Sequence, residues 1–75
     1  MKPRRKPYGT ANACGRTIER IRKDKGIAQG QLADKAGINI SNMSKIEGQV
    51  RVCKDYELRA IARVLGIRME ALFNE

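Results

Sequence analysis

Residues Gln29 to Gly48, QGQLADKAGINISNMSKIEG, decide the fold. Leu32, Ala33 and Ala36 lie before Gly37, and Ile38, Met43 and Ile46 after it. Their spacings of three to five residues put them on the inner faces of two short crossing helices. Gly37 interrupts that pattern with the one residue that takes positive φ without steric cost, so a tight turn is expected there. Asn39 is then placed to cap the second helix. The residues left outside on that helix, Ile40, Ser41, Asn42, Ser44 and Lys45, are mostly small and polar. They carry one positive charge, with no acid before Glu47. Such a face suits base edges and phosphates.

Around this unit the chain is short and basic. Seventy-five residues make one domain, near the size at which a single core barely outweighs chain entropy, so a compact helical solution with short loops is expected. Sixteen Lys and Arg against eight acids give a net charge of +8, which draws the chain towards a polyanion. Residues 1 to 26 hold nine basic and two acidic side chains, and residues 27 to 75 hold seven and six, so the excess sits at one end. No apolar run reaches the ~20 residues that span a bilayer, and the basic N-terminus has no apolar stretch behind it, as a signal peptide would. A cytoplasmic protein without membrane contact is expected. Cys14 and Cys53 fall within apolar patterning and read as reduced thiols. With no His, a metal site has almost no ligands to draw on, and neither a cofactor nor a small-molecule ligand is expected.

The rest of the chain divides at its glycines and prolines. Residues 1 to 10, MKPRRKPYGT, have four basic side chains, two prolines and almost nothing to bury, and read as a disordered arm. Arg4 and Arg5 either follow a nucleic-acid backbone or simply solvate the tail. Residues 11 to 75 form the folded part. Ala11 to Lys25 reads as a first helix with Cys14, Ile18 and Ile21 inward, closed by Gly26. A fourth helix opens at Lys54 or Asp55 and runs to Leu65 with Leu58, Ile61, Ala62 and Leu65 as its stripe. Asp55 and Glu57 near its start and Arg63 near its end complement the macrodipole. Ile67 to Phe73 reads as a short fifth helix whose Met69, Leu72 and Phe73 either cap the core or face a second subunit.

Gln29, Leu32-Ala33, Gly37-Ile38, Met43-Ser44 and Ile46-Glu47-Gly48 resemble the pattern of the lambda-repressor-like helix-turn-helix domains, the XRE or Cro family. Arg22 with Gly26-Ile27 before the unit also fits. So do Leu58, Ile61-Ala62, Leu65-Gly66-Ile67 and Leu72-Phe73 after it, so the resemblance covers about residues 14 to 73. It implies an all-α, compact five-helix DNA-binding domain with the helix-turn-helix at helices 2 and 3. Asn39, Ile40, Ser41, Ser44 and Lys45 match positions that face bases in the major groove. For Ile40 the alternative is an apolar residue packed against Ile27 or the turn. Gln29 matches a phosphate contact, with a simple exposed polar residue as the other reading. Asn42, Arg51 and Lys54 are further phosphate candidates. Arg22 matches a residue that pairs with the equivalent of Glu47, and the C-terminal end matches a dimer contact. Two positions depart from the family: Ala28 stands where Ser or Thr usually caps the second helix, and Cys53 where Pro is common.

The implied function is a sequence-specific transcriptional regulator, a repressor of phage or mobile-element type, binding double-stranded palindromic DNA as a homodimer. The alternative is an antitoxin or adaptor that uses the same fold chiefly to hold another protein. An enzyme is not expected, since the sequence has no His, no paired acid and base, and no phosphate-cradling loop. Single-stranded RNA usually needs aromatic platforms that the polar helix lacks.

Overall fold

The computed structural model describes residues 12–73, so the expected arm, with Arg4 and Arg5, lies outside the described residues. Four α-helices follow in order: α1, Gly15–Asp24; α2, Gln29–Ala36; α3, Ile40–Glu47; and α4, Asp55–Leu65. A 3-10 turn, Met69–Phe73, follows them. No strand occurs among the described residues.

Two expectations are corrected. The first helix begins at Gly15 instead of Ala11, because Asn12 is a cap and not a helical residue. Its Oδ1 accepts from the N–H of Cys14 at 3.2 Å and of Gly15 at 2.8 Å, two donors that no preceding turn could satisfy. The fifth helix is a 3-10 segment, which leaves four α-helices among the described residues. Its five residues are too few to pay for an α nucleus, and the Ala71 N–H donates to the Arg68 carbonyl in the tighter pattern.

The stops of the helices share one chemistry. At the end of α2 the N–H of Ile38 donates to Ala33 and that of Gly37 to Asp34, closing the paired bonds of a Schellman motif with Gly37 at φ 71°. α1 and α4 close with the same pattern. α3 does so too, but the residue in the left-handed region there is Gln49, at φ 62°. Its position is secured from afar: Gln49 Nε2 donates to the Asn12 carbonyl at 2.9 Å. Asn12 Nδ2 in turn donates to the carbonyls of Ile46 at 3.1 Å and Arg51 at 2.7 Å.

The core draws on every element. Ile18 of α1, Leu32 of α2, Met43 and Ile46 of α3, Ile61 of α4 and Leu72 of the 3-10 turn are all fully buried. Each such side chain contributes about 1.5–3 kcal/mol. α2 packs on α3 and α4, and α1 also packs on both, so α3 is held by α1 and α2 together. The closest approach is at Gly15, where a Cβ would overlap the Ile46 carbonyl. No helix among the described residues is long and apolar enough to cross a membrane.

Candidate nucleic-acid interface

α3 presents its outer face because its inner one is spent. Met43, Ile46 and Glu47 are buried, which leaves Ile40, Ser41, Ser44 and Lys45 exposed and Asn42 half-buried. Asn39 Oδ1 accepts from the backbone N–H of Ser41 at 2.7 Å and of Asn42 at 3.3 Å, so this side chain is the cap of α3 and only its amide nitrogen is left to contact a ligand. Ile40 is 54% exposed. Its Cδ1 lies 3.3 Å from where a Cβ on Gly30 would be, so it leans over the start of α2. Gly30 therefore makes room for Ile40.

Behind α3 a buried polar network fixes its orientation. Arg22 Nε donates to Glu47 Oε2 at 2.8 Å and Nη2 to Oε1 at 3.1 Å, a bidentate pair joining α1 to the last turn of α3. Arg22 Nη1 donates to the Ile27 carbonyl at 2.8 Å. Gln29 Nε2 donates to Glu47 Oε1 at 3.0 Å, so Gln29 belongs to this network through its side chain. What it offers outward is the backbone N–H at the positive end of α2. That end has no side-chain cap at Ala28; instead Gln31 Oε1 turns back to accept from the Ala28 N–H at 2.9 Å.

Arg51 is more occupied than a surface cation. It donates from Nη1 to Glu57 Oε1 at 2.9 Å, from Nη2 to Oε2 at 3.1 Å, and to the Val52 carbonyl. This fork bridges the loop after α3 to the first turn of α4. It holds the Glu57 carboxyl below the usual carboxylate range and raises Arg51. Glu57 Oε1 also accepts from the Lys54 N–H at 3.0 Å. Lys54 is exposed, with its ammonium 5.9 Å from the centre of the Tyr56 ring. In the sequence Glu57 reads only as a helix-start charge, and nothing there pairs it with Arg51. Arg16, absent from the sequence-based candidates, lines a shallow cleft with Glu19, Gln29, Ser44, Glu47 and Gly48 between α1, α2 and α3. The three-to-four residue recurrence of Arg16, Arg20 and Lys23 on one face of α1 was the available signal.

Two helices joined by a glycine turn, the second outward and polar and braced from behind, define a helix-turn-helix protein. Residues 17–74 match the family of the Cro/C1-type HTH DNA-binding domain, and the chain belongs to it. It is 34% identical over 62 residues to the HTH-type transcriptional regulator SinR of Bacillus licheniformis, a match that covers 81% of this chain and 56% of that protein. The chain thus spans about half the length of that relative. Among solved structures, the restriction-modification controller protein C.AhdI from Aeromonas hydrophila superposes with a TM-score of 0.78 at 26% identity, covering 81% of this chain and 92% of that one. The master regulator for biofilm formation SinR, in complex with DNA, does so with 0.76 at 31%, covering 81% and 98%.

Proposed function

We propose that this chain is a sequence-specific DNA-binding transcriptional regulator, a repressor of phage or mobile-element type, which places α3 in the major groove. The observation that carries this reading is the outer face of α3. Ser41, Ser44 and Lys45 stand exposed in one row, and both ends of the helix are fixed, by Asn39 in front and by the Arg22–Glu47 pair behind. Lys45 suits guanine, the two serines suit any base edge, and Ile40 can meet a thymine methyl. The amide nitrogen of Asn39 is left for a further base contact. Phosphates fall to the N-terminus of α2 at Gln29, to Asn42, Lys54 and Arg16, and to Arg4 and Arg5 of the arm. Arg51 is the weakest phosphate candidate, since a phosphate would have to compete with Glu57 for its fork.

A palindromic operator read by a homodimer is part of the proposal, with half-sites about 34 Å apart. Leu72 is fully buried and so belongs to the core, whereas Phe73 is 50% exposed and available to a second subunit. The test is a gel-shift titration against the intergenic DNA beside the gene, in moderate salt with excess nonspecific competitor. The wild type is compared with Ser41→Ala/Lys45→Ala. A competitor-resistant shift lost in the double variant supports readout through α3. A shift erased equally in both proteins leaves only polyanion attraction and favours the antitoxin or adaptor reading.

A further inference from the structure

The front of α3 carries two side chains whose chemistry is fixed by the fold. Asn39 is exposed, and its Oδ1 accepts from the backbone N–H of Ser41 at 2.7 Å and of Asn42 at 3.3 Å. Both partners are donors, so only the oxygen can face them and the amide cannot turn over. Towards a ligand Asn39 is therefore a donor alone, through Nδ2. Ile40, the next residue, is 54% exposed, and its Cδ1 rests over Gly30, 3.3 Å from the position of a Cβ that this glycine lacks. A β-branched side chain held against the first turn of α2, with more than half its surface open, sets a stiff apolar edge beside that donor.

We infer that Asn39 and Ile40 together read one thymine in each half-site, Nδ2 donating to its O4 and Ile40 covering its C5-methyl group. The inference rests on the reading of α3 as the helix in the major groove, where the N-terminal residues of a recognition helix meet base edges. The base edges then decide among the four bases. Adenine takes a bidentate Asn through a donor and an acceptor, and the acceptor here is spent on the cap. Cytosine presents its N4 amino group, a donor facing a donor. Guanine offers acceptors to Nδ2 but nothing apolar to Ile40. Thymine sets an acceptor and a methyl group side by side and alone satisfies both side chains. Gly30 is a positioning residue in this unit, because a Cβ there would push the tip of Ile40 aside.

The experiment uses the full chain to select bound duplexes from a randomised pool, then alters each thymine of the enriched site singly. Deoxyuridine keeps O4 and removes only the methyl group. 5-Methyldeoxycytidine, paired with deoxyguanosine, keeps the methyl group and puts a donor in place of O4. At one thymine in each half-site, deoxyuridine should weaken binding about fourfold, the worth of one buried methyl group, and 5-methyldeoxycytidine about tenfold. Ile40→Ala should bind the thymine and deoxyuridine duplexes alike. Asn39→Asp keeps the cap, since Asp serves there as well as Asn, and puts an acceptor where Nδ2 stood. It should therefore prefer 5-methyldeoxycytidine to thymine at that position. Deoxyuridine without effect at every thymine, an effect that persists in Ile40→Ala, or an Asn39→Asp variant that keeps the wild-type order overturns the inference and leaves the regulator reading standing. A pool from which no sequence is enriched overturns both.

Discussion

At the scale of single residues, the Arg22–Glu47 pair has an asymmetric energetic signature. Both side chains are almost fully buried, so removing one partner strands a charge away from water. Arg22→Ala or Glu47→Ala is expected to cost about 3–5 kcal/mol in urea denaturation, whereas Arg22→Met/Glu47→Leu should come within about 2 kcal/mol of wild type. Equal losses in single and double variants would contradict a pair mechanism. Glu57 makes a prediction in pH. Arg51 lowers its pKa in the folded state, so its contribution is present above the unfolded value. That contribution is lost as pH falls through the folded one. Urea midpoints should therefore decline below about pH 5, and Glu57→Gln should flatten that decline. Neither partner of this second pair announced the other in the sequence. Arg51 stands six residues from Glu57 across a loop, and such pairings have no period to read. The Asn12 amide, joined to carbonyls 34 and 39 residues away, was hidden for the same reason.

At the scale of elements, two glycines at helix starts, Gly15 opening α1 and Gly30 in the first turn of α2, have opposite consequences. Gly15→Ala drives a Cβ into the Ile46 carbonyl, which is backbone and cannot step aside, so α1 must separate from the end of α3. A loss of about 3 kcal/mol is expected, read as a lowered melting temperature. Gly30→Ala meets only the far end of the exposed Ile40 side chain. There the better helix former should win, with a gain of up to about 1 kcal/mol. Calorimetry of the two variants separates these signs. Helices α2, α3 and α4 were legible because apolar spacing and a terminal glycine are local signals, and Leu32, Met43, Ile46, Leu58 and Ile61 all proved to be core. The start of α1 was misplaced because Asn12 caps from outside the apolar pattern. The 3-10 segment was misassigned because a period cannot be distinguished over five residues.

At the scale of the whole molecule, charge is distributed so that the N-terminal third dominates any long-range attraction. Binding to duplex DNA should weaken linearly in log[salt], by about 0.9 in slope for each phosphate neutralised. Deleting residues 1–10, which removes four basic side chains, should make that slope shallower by up to about 4 if the arm lies on DNA. An unchanged slope would assign the arm to solvation alone. The stop of α3 bears on the order in which the molecule assembles. α3 is told where to begin by Asn39, two residues from the Ser41 N–H it caps, but it is told where to end by Gln49 clasping Asn12, 37 residues upstream. In the folding transition state the front of α3 can thus be in place while its rear is still frayed. Conservative substitutions at Asn39 should slow folding, whereas those at Asn12 and Gln49 should leave the folding rate nearly untouched and speed unfolding.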